Sequence, residues 1–313
     1  MSTQEFNAGY RHSEIYEDVL PPHYYGGRED LDLVRDFLTA HLGAHAAQDH
    51  DVLELGCGPG RLTTLLRPYA ASLLATDKSE GMVSAIRQRF PDVSTRCADT
   101  ESVIHTLHAE GCVNNFDLIG AFWSMSYPLL ECFEETTADG VISTADPNTG
   151  YNRARALLRA LVDLLAPGGH LSMLFFDADT EEQRLVTSLW ERIAPFPGTG
   201  RDYTWRLLHD ALVDAELEGR GTFHHARIPG VAVTQSATAA HDWFFTGHLN
   251  NYADLCADQE AHNAIGTFVR KHLQRDGSVH IPSAVHFIDF HAAPTRSCHL
   301  PPDKAINTSG ESW

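Results

Sequence analysis

Residues 52–66, VLELGCGPGRLTTLL, constrain this chain more than any other stretch. An apolar run ends at Glu54-Leu55, three glycines alternate with Cys57 and Pro59, and a helix-like pattern opens at Arg61. Glycine has no Cβ and tolerates positive φ, so this alternation predicts a tight turn whose backbone a ligand can approach. A strand, a glycine turn and a helix also form the opening unit of an open α/β sheet. In such sheets ligands bind beyond the carboxyl ends of the strands.

The remaining sequence continues the alternation. Apolar periodicity predicts helices over 31–45, 60–66, 80–90, 152–165 and 203–215. It predicts strands over 51–55, 72–77, 93–97, 116–122, 170–176, 221–228 and 284–291. Strands separated by helices imply a mostly parallel, doubly wound α/β sheet. The last two strands flank a mostly helical block, 236–274, with no short crossover, which suggests an antiparallel edge. The expected organisation is one domain over 1–293, with an N-terminal cap over 1–45 and a helical acceptor-cap insertion over 234–282. A disordered tail is expected over 294–313, which is rich in Pro, Ser and polar residues. The acidic stretch 131–150 reads either as a lid or as a solvated loop.

Charge narrows the partners. Lys plus Arg total 23 against 42 Asp plus Glu, a net charge of −19. Such a surface repels phosphate, so neither nucleic acid nor an anionic membrane is an expected partner. No apolar run reaches the roughly 18 residues of a membrane span, and the N-terminus lacks a signal-peptide layout, so a cytoplasmic location is expected. The six cysteines include no CxxC and read as reduced thiols. His41 with His45, and His105 with His108, have metal-like spacing on helices, but no further ligands adjoin them. They read as solvated faces, and no metal is expected.

Dinucleotide sites favour G-x-G-x-x-G, whereas this loop is G-x-G-x-G with Glu54 two residues ahead of it. A carboxylate there repels a pyrophosphate but suits a ligand with a positive centre. No Lys follows, as a P-loop requires. VLELGCGPGRLT resembles the first signature of the class I S-adenosylmethionine-dependent methyltransferases of small-molecule type. LLATDKSEGM, CADTE, FDLIGAFWSMSYPLL and ALLRALVDLLAPGGHLSMLFF resemble the signatures that follow it, in order. The resemblance covers 16–176 well and implies a Rossmann-like fold with S-adenosyl-L-methionine as cofactor.

It also implies a cofactor site. Gly56, Cys57, Gly58 and Gly60 would face the methionyl part, with Glu54 near its amino group or sulfonium. Asp77 would accept the ribose hydroxyls beside Lys78. Met82, Asp99 and Thr100 would surround the adenine, and Phe122 would line the methionyl end. Tyr16 and Tyr24, in the N-terminal segment, would close over the carboxylate. Trp123 and Tyr127 suggest a pocket for a flat or hydrophobic acceptor. In HDWFFTGHLNNY, helical spacing puts His241, Phe245, His248 and Tyr252 on one face, with the two histidines as candidate bases and the two rings as acceptor walls. The expected reaction is methyl transfer to O or N of a small-molecule, specialised-metabolite acceptor, by a monomer or homodimer. The alternative is a cofactor-binding relative that catalyses another reaction, such as cyclisation or elimination.

Overall fold

The computed structural model describes residues 20–43, 48–137, 140–143, 146–192, 202–249 and 253–294. Tyr16, Tyr252, Cys298 and the tail beyond 294 lie outside the described residues.

A short hairpin, β1 (His23–Tyr25) and β2 (Arg28–Glu29), leads into α1 (Asp30–Leu42). The alternating part follows: β3 (His50–Leu55), α2 (Thr63–Leu66), β4 (Ala70–Asp77), α3 (Glu80–Arg89), β5 (Ser94–Cys97), α4 (Thr100–Ala109) and β6 (Phe116–Phe122). Next come α5 (Ser126–Leu130), a separate hairpin of β7 (Glu134–Thr137) and β8 (Gly140–Ser143), α6 (Pro147–Asp163) and β9 (Leu165–Phe176). The chain continues through α7 (Glu181–Trp190), α8 (Asp202–Leu217) and β10 (Gly221–Thr234). The cap consists of α9 (Ala237–Asp242), a π-helical turn (Trp243–His248), α10 (Ala253–Ala257) and α11 (Gln259–His272), and β11 (Val279–Ala292) closes the fold.

The main sheet runs β2-β1-β10-β11-β9-β6-β3-β4-β5. Pairing is parallel from β5 through to β9 and antiparallel from β9 to β2. Chain order reverses at β3, which has β4 on one side and β6 on the other, so the glycine loop at its carboxyl end sits at the switch point.

The sheet has nine strands where the sequence predicts seven. The extra pair is the β1–β2 hairpin, which docks on β10 with His23 opposite Ala232 and Tyr25 opposite Gly230, extending the antiparallel edge. Its turn is Gly26-Gly27, both at positive φ (58° and 80°). Five strand residues are too few for periodicity to register. Strand β9 also begins earlier than the predicted 170: Leu165 already pairs with Phe116, and the chain reaches His170 through a register shift against β6 in which Gly168 takes a positive φ of 79°.

Alternation along the strands divides the core between the two faces. Val52, Leu118 and Leu174 bury with Val34 and Phe37 of α1 and Ile86 of α3. Leu53, Leu55, Ile119 and Ala121 bury on the other face with Val103, Leu157 and Leu212. A third cluster ties Val186, Leu189 and Trp190 of α7 to Ala240, Phe244, Ile265 and Phe268 of the cap. Truncating a fully buried leucine such as Leu53 to Ala costs about 2–5 kcal/mol. No helix among the described residues is long and apolar enough to cross a membrane.

Candidate functional site

Gly56 and Gly58 adopt φ of 71° and 52°, conformations that disfavour a side chain. The N–H groups of Gly56 and Cys57 both donate to the Thr76 carbonyl, at 2.8 and 2.9 Å, which fastens the loop to the end of β4. A Cβ on Gly56 would stand 2.3 Å from that of Ser124. One on Gly58 would meet nothing within 4 Å, and that backbone faces open space. Gly60 instead packs against Ile86 and Phe90.

Asp77 ends β4. Its Oδ2 accepts from Gly58 N–H at 3.0 Å and its Oδ1 from Ser79 N–H at 2.9 Å. Burial pushes its carboxyl up against these donors. Each oxygen keeps a lone pair for a further donor, as a pair of ribose hydroxyls requires. Glu54 is buried, and its Oε2 accepts from Thr63 Oγ1 at 2.6 Å. Burial pushes this carboxyl up to about 8, and Thr63 opposes the rise only in part. Glu54 therefore braces the loop from below and does not line the cavity described next, contrary to its expected place beside the ligand's positive centre.

A cavity of about 830 Å³ opens from Gly56, Cys57, Gly58 and Pro59. Phe122, at the end of β6, and Trp123 and Tyr127 just beyond it form one wall, and Tyr25, Phe176, Trp190 and Trp243 add apolar rings. Trp123 holds a positive φ of 62°, a strained setting for a bulky residue. Its indole Nε1 donates to Asp30 Oδ2 at 2.9 Å. Arg61, directly after the glycine loop, makes a two-bond ion pair with the same carboxylate. Burial alone would raise the Asp30 carboxyl; the Arg61 and Trp123 bonds hold it below its usual range.

Two imidazoles reach this cavity. His248 Nε2 lies 3.1 Å from Glu182 Oε1, and Trp243 Nε1 donates to the same oxygen at 2.6 Å. Glu182 stands in the first turn of α7 at 3% exposure. Burial pushes its carboxyl up, yet the His248 and Trp243 bonds hold it below the usual range. His23 is the second imidazole: its Nδ1 lies 2.7 Å from the Pro21 carbonyl, and burial pushes its pKa down. It is therefore a neutral ring with Nδ1–H donated and Nε2 left as acceptor.

The predicted histidine face does not survive as one face. Between Trp243 and His248 the chain forms a π turn, with Leu249 N–H bonded to the Phe244 carbonyl at 3.0 Å. The wider turn rotates later residues out of 3.6-residue register. Gly247 permits it, since a Cβ there would lie 2.5 Å from the Trp243 ring. Trp243, Thr246, Gly247 and His248 consequently face the cavity, while His241 and Phe245 turn away from it. His241 stacks on Phe245 and His262, with ring centroids 4.6 and 5.3 Å apart, and Phe245 stacks on His262 at 4.3 Å.

The other expected residues separate similarly. Tyr24 does not line the cavity; strand alternation gives that place to His23 and Tyr25. Met82 is buried at 1% exposure, Lys78 pairs with Glu131 at 3.0 Å, and Asp99 caps α4 by accepting from Ser102 N–H, with Thr100 next in the helix. None of these four lines the cavity, and Asp77 meets it only through its bond to Gly58 N–H. His23, Asp30, Arg61, Glu182 and Trp243 escape sequence reasoning. Of these, only Arg61, adjoining the glycine loop, carries a local signal. His41, read from the sequence as part of a solvated face, meets His170 and Asp289.

Residues 52–129 match the family model described as a methyltransferase domain. Over 54 residues, 17% of this chain, the sequence is 44% identical to the trans-aconitate 2-methyltransferase of Methylobacterium nodulans. The match spans 21% of that relative's length. Among solved structures, the YcgJ protein of Bacillus subtilis is similar at 16% identity, with 84% of this chain and 97% of that one covered and a TM-score of 0.48. N-methyltransferase NodS from Bradyrhizobium japonicum WM9 is similar at 16% identity over 84% and 97% of the two chains, with a TM-score of 0.40.

Proposed function

From the premise that this chain carries a class I S-adenosylmethionine-dependent methyltransferase domain, with S-adenosylmethionine as its cofactor, we propose that it methylates an oxygen or nitrogen of a small-molecule acceptor. One observation carries the reading. A single cavity runs from the glycine loop to an aromatic wall that also presents a carboxylate-linked imidazole.

Gly56, Cys57 and Gly58 would hold the methionyl portion of the cofactor, and Asp77 the ribose. When bound, S-adenosylmethionine supplies an electrophilic methyl on a sulfonium. The chain's own residues do the rest by position. Trp123, Tyr127 and Trp243 bound a slot for a flat acceptor. The Asp30–Arg61 pair offers polar anchoring at the same wall. With Nε2–H donated to Glu182, the Nδ1 lone pair of His248 takes the proton that a hydroxyl or ammonium acceptor must lose. The imidazolium formed is stabilised by the Glu182 carboxylate. Aromatic walls of this extent suit a small organic molecule, and the net charge of −19 disfavours a polyanion.

The test is a thermal-shift screen with S-adenosylhomocysteine, followed by turnover of a metabolite library with S-adenosylmethionine. Release of S-adenosylhomocysteine in step with a methylated product supports the reading. Product formed without that release replaces it with cyclisation or elimination. Absence of any shift with S-adenosylhomocysteine removes the site assignment.

A further inference from the structure

Helix α1 crosses one face of the sheet, and under its last turn that face is polar. His170 pairs with His291, and Ser172 with Asp289, in the antiparallel register of β9 and β11, so these four side chains share a face. The His170 and His291 rings stack at 4.4 Å. His170 Nδ1 lies 2.9 Å from Asp289 Oδ1, and both residues are buried. Ser172 is fully buried beside them, and its Oγ has no hydrogen-bond partner among the described residues. From above, His41 brings its ring to 4.7 Å from that of His170.

One ligand atom from each of His41, His170 and Asp289 lies within 4.8 Å of the other two. The geometry points to a divalent transition-metal site, built from two imidazoles and a carboxylate, that clamps the end of α1 to the sheet. Such a donor set suits Zn²⁺, which binds nitrogen and carboxylate oxygen at about 2.0–2.2 Å. Tetrahedral bonds of that length separate ligand atoms by about 3.4 Å. The His170–Asp289 pair opens slightly to reach that spacing, and the larger adjustment falls to His41, the exposed member of the three. A three-ligand site leaves a fourth position for water, and the Ser172 hydroxyl is on the face where it can hydrogen-bond that water.

The site is remote from the reaction but mechanically linked to it. Helix α1 starts at Asp30, in the wall of the large cavity, and His41 is about 16 Å further along its axis. An ion bound at His41 fixes the far end of the helix that carries the Asp30 carboxylate. The site stands independently of the proposed reaction.

The full chain, stripped with a chelator and dialysed, is titrated with Zn²⁺ by calorimetry and with Co²⁺ by visible absorption. A single Zn²⁺ per chain, a tetrahedral-type cobalt band and slowed amide exchange in α1 are expected. His41→Ala removes an exposed ligand and leaves the core intact; it should weaken Zn²⁺ binding at least about tenfold. Asp289→Asn should do the same. His225→Ala removes an imidazole of the His225–His286 pair on the opposite face and should leave affinity unchanged. No binding by the wild-type chain, wild-type affinity in both His41→Ala and Asp289→Asn, or loss of binding in His225→Ala overturns the site.

Discussion

Glu182 and His248 lie 66 positions apart in sequence and are joined by a 3.1 Å hydrogen bond that ties a buried carboxylate to the wall of the large cavity. The carboxylate is held below its usual pKa range despite burial, so it carries charge wherever the protein is folded near neutrality. Replacing it with Gln keeps an oxygen acceptor for Trp243 and His248 and removes only the charge. Glu182→Gln should lower kcat about tenfold, near 1.4 kcal/mol in the barrier, with cofactor affinity unchanged. His248→Ala should lower kcat at least as much. Since the two act as a unit, the double variant should be no slower than His248→Ala alone. Independent, multiplying losses in the double variant would show that Glu182 does not act through His248.

His241 gives the matching negative prediction. Its ring is engaged with Phe245 and His262 and does not reach the cavity. His241→Ala should leave kcat within about twofold while lowering the melting temperature modestly through lost ring packing. A tenfold loss of turnover at saturating acceptor, with the fold intact, would restore the helical-face reading of the sequence.

The contrast between these histidines shows where sequence reasoning stops. Alternation of strands and helices is a periodic signal, and the Val52–Leu66 loop announced itself because its glycines are required at positive φ. A π turn has no such signature: it depends on Gly247 yielding to the Trp243 ring, a contact between side chains that a 3.6-residue wheel cannot anticipate. Glu182 was silent because an acid in the first turn of a helix is ordinary. Only the tertiary fold carries it under the cap.

Asp77 and Gly58 test the cofactor half. Asp77 Oδ2 already organises the loop through Gly58 N–H, so the carboxylate is preset before any ligand arrives. Asp77→Ala should weaken S-adenosylhomocysteine binding by roughly 1.5–3 kcal/mol, about tenfold to a hundredfold. Gly58→Val should weaken it further, because a β-branched residue at φ 52° distorts the loop and fills the open space. Calorimetry returning wild-type affinity for both folded variants would move the cofactor elsewhere.

Glu54 ties the loop to pH. Its carboxyl is pushed up to about 8 in the folded chain, chiefly by burial, from an ordinary value of 4.5. Below the ordinary value both folded and unfolded chains hold this proton, and the group makes no demand on stability. Between the two values the unfolded chain releases the proton and the folded chain keeps it, so stability falls as pH rises. Above about 8 the folded chain must bury a charge, and the loss is complete at on the order of 5 kcal/mol. Glu54→Gln keeps an acceptor for Thr63 and has no proton to lose. Its melting temperature should be close to that of the wild type at pH 4.5 and increasingly higher toward pH 8. All other titrating groups are common to both proteins, so they cancel in the difference. Parallel melting curves across that window would mean that Glu54 is ionised in the folded state, and that the loop is braced by a charge instead of a neutral acid.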